Sequence, residues 1–299
     1  MKALLTGASG LIGKALRPTL EAKGWDLLLA SRGELKDERQ IRWNPDTGFA
    51  DADLARLEGL DAVVHLAGEN VSGLRWTEEK KKAIRDSRVL GTRSIIETFD
   101  KLTAKPKTFV SGSAIGFYGD RGGDAMTESS PAGKTFLAEV CKEWEAESRR
   151  AEDLGIRSVL LRTGIVLSKD GGALATMMTP FKLGIGGVVG SGKQWMSWIT
   201  LDDVVGIINC ALDNESVRGA VNVVAPSPVT NEEFTKTLGS VLYRPTFLPL
   251  PKFAVHMVFG EMGDALLLDS TKVVPRRLLD AGYEFRHTEL RGALEHAVK

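Results

Sequence analysis

Cysteine is nearly absent: only Cys141 and Cys210 occur among 299 residues. Two thiols so placed make neither a disulfide framework nor a metal-site spacing. Their scarcity fits a reducing compartment, and the cytoplasm is the expected location. Net charge is absent too, because 39 Lys and Arg balance 39 Asp and Glu. That balance argues against nucleic acid or an anionic membrane as partner, although a local basic patch remains compatible with it. No apolar run has the length of a membrane span. No internal repeat or low-complexity tract occurs, and no leader peptide is expected before the first apolar run. A chain of this length can bury a substantial core, as one large α/β domain or as two lobes.

The organising feature is Met1 to Gly13, MKALLTGASGLIG. Lys2 to Leu5 reads as a short buried strand. A glycine-rich turn follows, and Leu11, Ile12, Ala15 and Leu16 begin a helical pattern. Gly7, Gly10 and Gly13 each have a task. Gly7 permits a tight turn off the strand, Gly10 lets the backbone approach a pyrophosphate, and Gly13 lets the helix lie close on the sheet. The helix N-terminus then offers free N–H groups and a positive dipole end to phosphate. The turn as a whole, with Ser9, Leu11 and Ile12, is the expected pyrophosphate site.

A second strand spans Trp25 to Ala30 and ends at Ser31 and Arg32. An acid about 20 residues past the glycines would take the ribose 2′-hydroxyl of NAD. Ser31 and Arg32 stand there instead, and a guanidinium pairs with a 2′-phosphate, so NADP(H) is the expected cofactor. Further strands are read at Gln40 to Trp43, Asp61 to Leu66, Lys107 to Val110 and Arg157 to Leu161. Short and long helices are read at Leu54 to Leu57, Thr77 to Leu102 and Thr135 to Leu154. Strand–helix alternation predicts a Rossmann-type α/β fold, a parallel sheet wound on both faces. Ligands bind at the carboxyl ends of such strands. Gly7 to Gly13, Ser31 and Arg32, Leu66 with Ala67, Gly68 and Glu69, Ser111 to Tyr118, and Arg162 to Val166 all fall there. His65 lies in an apolar run with no partner at a ligand spacing, so it reads as packed core and no metal is expected.

The second half has a looser texture. Gly187 with Gly192-Lys193 imitates a phosphate-binding loop, but Gln194 stands where Ser or Thr would hold magnesium, so an ATPase is rejected. Thr200 reads as the N-cap of a helix over Leu201 to Leu212, and Thr230 opens another to Leu242. Asn222 to Val224 reads as a strand. The expected division is 1–166 as nucleotide-binding core and 167–299 as a smaller substrate lobe, with later segments crossing back onto the core.

These residues resemble the extended short-chain dehydrogenases/reductases, and more narrowly their atypical, sugar-nucleotide epimerase-like subgroup. The resemblance rests on GASGLIG at Gly7–Gly13, HLAGEN at His65–Asn70, SRVLGT at Ser87–Thr92, SGSAIGFYG at Ser111–Gly119, FLAEVCKEWE at Phe136–Glu145, LRTGIVLS at Leu161–Ser168, and the C-terminal run Gly260–Phe285. It implies NADP(H) contacts from Arg32, Leu66, Ala67, Arg88 and Lys142, and a small-molecule substrate of the nucleotide-sugar class. It implies either a monomer or a homodimer. The superfamily's chemistry needs a Ser and a Tyr-x-x-x-Lys. Ser113 and Lys142 match, but Ala138 stands at the Tyr position and has no proton to give. Tyr118 is the nearest substitute, with Glu69 and Glu128 behind it, and Cys141 reads as core. Two readings follow: an NADP(H)-dependent oxidoreductase or epimerase-like enzyme using Ser113, Tyr118 and Lys142, or a cofactor-binding regulatory protein of little activity. A cell-division-inhibitor label within the subgroup suggests the setting for the second.

Overall fold

In the computed structural model, which describes residues 1–299, seven strands form one sheet. They are β1 (Lys2–Thr6), β2 (Asp26–Ser31), β3 (Gln40–Arg42), β4 (Ala62–His65), β5 (Thr108–Ala114), β6 (Arg157–Thr163) and β7 (Gly219–Val223). Their order is β7-β6-β5-β4-β1-β2-β3, and every neighbouring pair is parallel. Both faces are covered. Leu5, Val64, Val110 and Val159 pack on one side with Leu16, Leu20 and Ile208. Leu4, Val63 and Phe109 pack on the other with Ile95 and Phe99. A strand buried on both faces reads as an unbroken apolar run, which is why these segments stand out in the sequence.

The helices of eight residues or more are α1 (Leu11–Ala22), α2 (Glu78–Lys101), α3 (Phe136–Asp153), α4 (Gly172–Lys182), α5 (Leu201–Asp213), α6 (Asn231–Val241), α7 (Lys252–Gly263) and α8 (Leu290–Ala297), and two short ones lie at Leu54–Leu57 and Arg276–Asp280. Four of them begin on a threonine whose Oγ1 accepts a backbone N–H three residues on: Thr77 before α2, Thr135 before α3, Thr200 before α5 and Thr230 before α6. Helix α1 differs. It begins at Gly10, which has no side chain to cap it, and its first turn carries no acid. Its end is left open to an anion.

The chain builds β1, β2 and β3 outward in one direction, and β4 then returns to the other side of β1. The crevice between β1 and β4 is the switch point of a doubly wound sheet, where ligands bind.

Residues 1–166 do not complete this sheet. Strand β7 pairs with β6, placing Val221 beside Leu161, and α5 contributes Val204, Ile207 and Ile208 to the face that carries α1. A separate core joins Leu174, Phe181, Trp198, Phe234, Leu238 and Leu294 in the C-terminal half. The C-terminal run returns to the first half, because Lys272–Val273 pairs with Ala125–Met126. Helix α7 leans on α2 and the segment before it: Arg75 donates to the carbonyls of Met257 and Val258, and Lys81 in the first turn of α2 pairs with Glu261. The loop that imitates a phosphate-binding motif is tied into this lobe, since Gln194 Nε2 donates to the carbonyls of Val189 and Leu267 at 2.9 and 3.0 Å. No helix is long and apolar enough to cross a membrane.

Candidate functional site

The crevice is shaped by glycines. Gly7 has φ +70°, and a Cβ there would lie 2.8 Å from the Ala67 nitrogen. A side chain would strain the backbone and push the β1 and β4 loops apart. A Cβ at Gly13 would collide with the Gly7 carbonyl. The close approach that Gly13 permits is therefore to the turn leaving β1, where close approach to the sheet was expected. Thr6 binds the two loops together. Its Oγ1 lies 2.7 Å from His65 Nδ1 and accepts the Ala67 N–H at 3.2 Å. His65 is fully buried, and burial, with the Arg88 charge adding, pushes its imidazole down to about 3. It is a neutral packing group.

Helix α2 shapes the β4 loop. Ser87 Oγ accepts the Glu69 N–H at 2.9 Å, and Arg88 donates to the Glu69 carbonyl at 2.9 Å. The Arg88 guanidinium also lies over the Trp144 ring, 5.3 Å from its centroid. The Glu69 carboxylate pairs with Lys80 at 2.6 Å. That hydrogen bond, aided by the charges of Arg32 and Arg88, holds its carboxyl below the usual range, so it is an ion and not a proton donor. Arg32, at the end of β2, is exposed and enters no ion pair; the carboxylate its charge acts on is already held by Lys80. Next to it, Ser31 Oγ accepts the Gly33 N–H. Val166 sits in a short parallel pairing with Ile199, beyond the carboxyl end of β6.

Beyond β5 lies a buried polar network. Ser113 Oγ donates to Glu145 Oε1 at 2.8 Å. Arg162 grips the same carboxylate at two points, Nε to Oε1 at 2.7 Å and Nη2 to Oε2 at 2.8 Å. Burial opposes the Arg162 charge, but the bonds to Glu145 prevail and raise its pKa. The guanidinium also donates to Tyr118 Oη at 2.9 Å and lies 3.5 Å from the Phe117 ring centroid. Tyr118 Oη in turn donates to Asn222 Oδ1 at 2.6 Å.

Three expected roles look different in place. Tyr118 is fully buried and its hydroxyl is engaged by Arg162, Asn222 and the Thr127 carbonyl. Burial also raises its pKa. This surrounding does not suit the proton donor expected of it, because no face of the hydroxyl is open to a substrate. Glu128 is also enclosed; its Oε1 accepts the N–H groups of Asn222 and Arg277 at 3.1 and 3.3 Å. Lys142 points outward, with its ammonium on Glu139 at 2.9 Å. Cys141 is core, as expected, and burial, together with the Glu145 charge, pushes its thiol up to about 11. Ala138 is buried completely.

Glu145, Arg162, Asn222 and Ser87 escaped the sequence reading as partners. One signal was available: of the two arginines in the strand RSVLLRT, Arg157 stands at its start but Arg162 follows the apolar run VLL, and a charge buried there calls for a carboxylate partner.

Residues 3–224 match the NAD dependent epimerase/dehydratase family, and residues 250–297 match a domain of unknown function, DUF1731. An epimerase family protein of Mycobacterium bovis is 39% identical over 294 residues, covering 98% of this chain and 96% of its own. The human epimerase family protein SDR39U1 is 37% identical over 301 residues, with full coverage of both chains. The crystal structure of human SDR39U1 (isoform 2) with NADPH superposes with a TM-score of 0.91 at 38% identity, covering 99% of each chain. A structure of the nucleoside-diphosphate sugar epimerase from Corynebacterium glutamicum gives a TM-score of 0.82 at 35% identity, covering 100% of this chain and 58% of that one.

Proposed function

Because the chain belongs to the NAD dependent epimerase/dehydratase family, we propose that it binds NADP(H) in the crevice between β1 and β4 and transfers hydride to or from a small substrate held at Ser113. The observation that carries the cofactor is the pairing of an uncapped α1 with an unpaired Arg32. The other core helices spend a threonine on their first turn, whereas α1 leaves its N–H groups free for a pyrophosphate. Arg32 has no carboxylate of its own and supplies the charge that a 2′-phosphate needs. The NADPH in the human relative supports the same choice.

When bound, NADP(H) supplies or accepts the hydride. The protein's part is positioning. Ser113 has one proton, and Glu145 takes it. Its lone pairs therefore face a ligand as acceptors, which favours a substrate hydroxyl over a carbonyl at that atom. Lys142 reaches the ribose by giving up its exposed pair with Glu139, a pair of a kind worth about 0–1 kcal/mol. The Corynebacterium relative supports a nucleotide sugar as the substrate class.

One observation favours a second reading, in which the protein binds NADP(H) with little turnover. The buried Ala138 and the enclosed Tyr118 leave Ser113 without a free tyrosine acid beside it. Such a group contributes about 10²–10⁴-fold.

Fluorescence titration with NADPH and NADH, on wild type and Arg32→Ala, tests the cofactor. NADPH should bind far more tightly, and the substitution should remove most of the preference. Equal binding of the two would refute the assignment. A screen of nucleotide sugars with NADPH present then separates the two readings: turnover lost in Ser113→Ala supports the enzyme, and no turnover of any of them supports the second.

A further inference from the structure

Asp202, His287 and His296 come from three separate places in the chain and meet at one point on the surface. Their donor atoms all lie within 4.8 Å of one another. We propose that these three residues form a binding site for a divalent transition-metal ion of the zinc class, a site distinct from the NADP(H) crevice.

The donors are pre-positioned by buried structure. Asp202 stands in the first turn of α5, next to Asp203. Asp203 is fully buried, and its carboxylate accepts the N–H groups of Arg286 at 2.8 Å and His287 at 3.2 Å. It also accepts the Thr200 hydroxyl at 2.8 Å. The backbone carrying His287 is thus pinned against the end of α5. On the other side, Leu290, Ala293 and Leu294 are buried and fix α8, which carries His296.

The rings themselves are unusually disposed. His296 Nε2 lies 2.8 Å from Asp202 Oδ2. His287 stacks on His296, with centroids 4.7 Å apart and planes 28° apart. The His287 ring has no hydrogen-bond partner in the protein, and its only ring neighbour is His296. A single cation held by both rings and the carboxylate explains the cluster. Ligand atoms around tetrahedral zinc are about 3.3 Å apart, so no pair must close by more than about 1.5 Å, within the reach of exposed side chains. Two imidazoles and one carboxylate suit zinc, nickel or copper better than magnesium or calcium, which prefer all-oxygen shells. Three protein ligands leave a fourth position for water. Bound metal would join α8, near the C-terminus, to α5 on the nucleotide-binding core.

The test is calorimetric titration of zinc into tag-free, chelator-treated full-length protein, paired with thermal unfolding. One ion per chain should bind. At a hundredfold excess over Kd the unfolding midpoint should rise by roughly 4 °C, whereas magnesium should not raise it. His287→Gln and His296→Gln should each weaken zinc binding at least tenfold and cut the thermal gain to about half or less. Both variants should retain wild-type NADPH affinity, or the wild-type circular dichroism spectrum should the protein bind no NADPH, which keeps this result separate from the cofactor assignment. Absence of saturable zinc binding would overturn the proposal. So would binding that persists unchanged in both variants, or an equal gain from magnesium.

Discussion

Arg162 and Glu145 form a two-point ion pair, at 2.7 and 2.8 Å, with side chains only 3% and 4% exposed. The pair crosses from β6 to α3 and carries Ser113 and Tyr118 on its flanks. Removing one partner leaves a buried charge without compensation, which costs about 3–5 kcal/mol. Arg162→Met should therefore lower unfolding stability by that amount in a denaturant titration. The double variant Glu145→Leu with Arg162→Met should lose less than the sum of the two single changes. Additive losses would mean that the two side chains do not act as a unit.

Tyr118→Phe gives a different outcome depending on whether the hydroxyl acts in chemistry or in structure. The hydroxyl bridges Arg162 to Asn222. Its loss strands buried polar groups at a cost of about 1–3 kcal/mol. We expect reduced stability with unchanged NADPH affinity. If stability were kept and turnover of an identified substrate lost, Tyr118 would be the acid after all.

The legibility of the chain follows from what each feature depends on. The glycine turn was readable because Gly7 and Gly13 meet local constraints, a positive φ and a collision within six residues. Strands β1 and β4 were readable because burial on both faces leaves an apolar run at the centre of each, Ala3 to Leu5 and Ala62 to Val64. The helix starts at Thr77, Thr135, Thr200 and Thr230 were readable because capping is local. The enclosure of Tyr118 was not readable because its neighbours, Arg162 and Asn222, lie 44 and 104 residues away. No spacing rule joins them. The same holds for Ser113 and Glu145, which helix α3 brings together across 32 residues. The joining of Asp202 to His296, 94 residues apart, is equally a product of the fold alone.

His65 should leave a mark on the pH dependence of stability. Its imidazole ordinarily titrates near 6.5, and burial pushes it down to about 3 in the folded chain. Between those values the unfolded chain binds a proton that the folded chain refuses. Stability contributed by the neutral ring is present above about pH 6.5 and falls as pH drops toward 3, by about 1.4 kcal/mol per pH unit. Denaturant titrations from pH 7 to pH 4 should show this slope in wild type. A His65→Gln variant, less stable at pH 7 but lacking the titrating ring, should show a shallower one. Identical slopes would mean that the ring takes up a proton in the folded state.

Lys142 separates cofactor binding from folding. Its ammonium rests on Glu139 at the surface, and side chains so exposed change stability by less than about 0.5 kcal/mol when replaced. If it leaves that pair to hold the nicotinamide ribose, as we propose, Lys142→Ala should keep the wild-type unfolding midpoint and weaken NADPH binding by about tenfold, the loss of one charge-assisted hydrogen bond. Glu139→Gln should act in the opposite sense, releasing the ammonium and tightening binding slightly. Fluorescence titration of both variants beside wild type reads the result. Unchanged NADPH affinity in Lys142→Ala would leave the lysine as a surface residue and confine the cofactor's contacts to the glycine turn, Arg32 and the loop after β4.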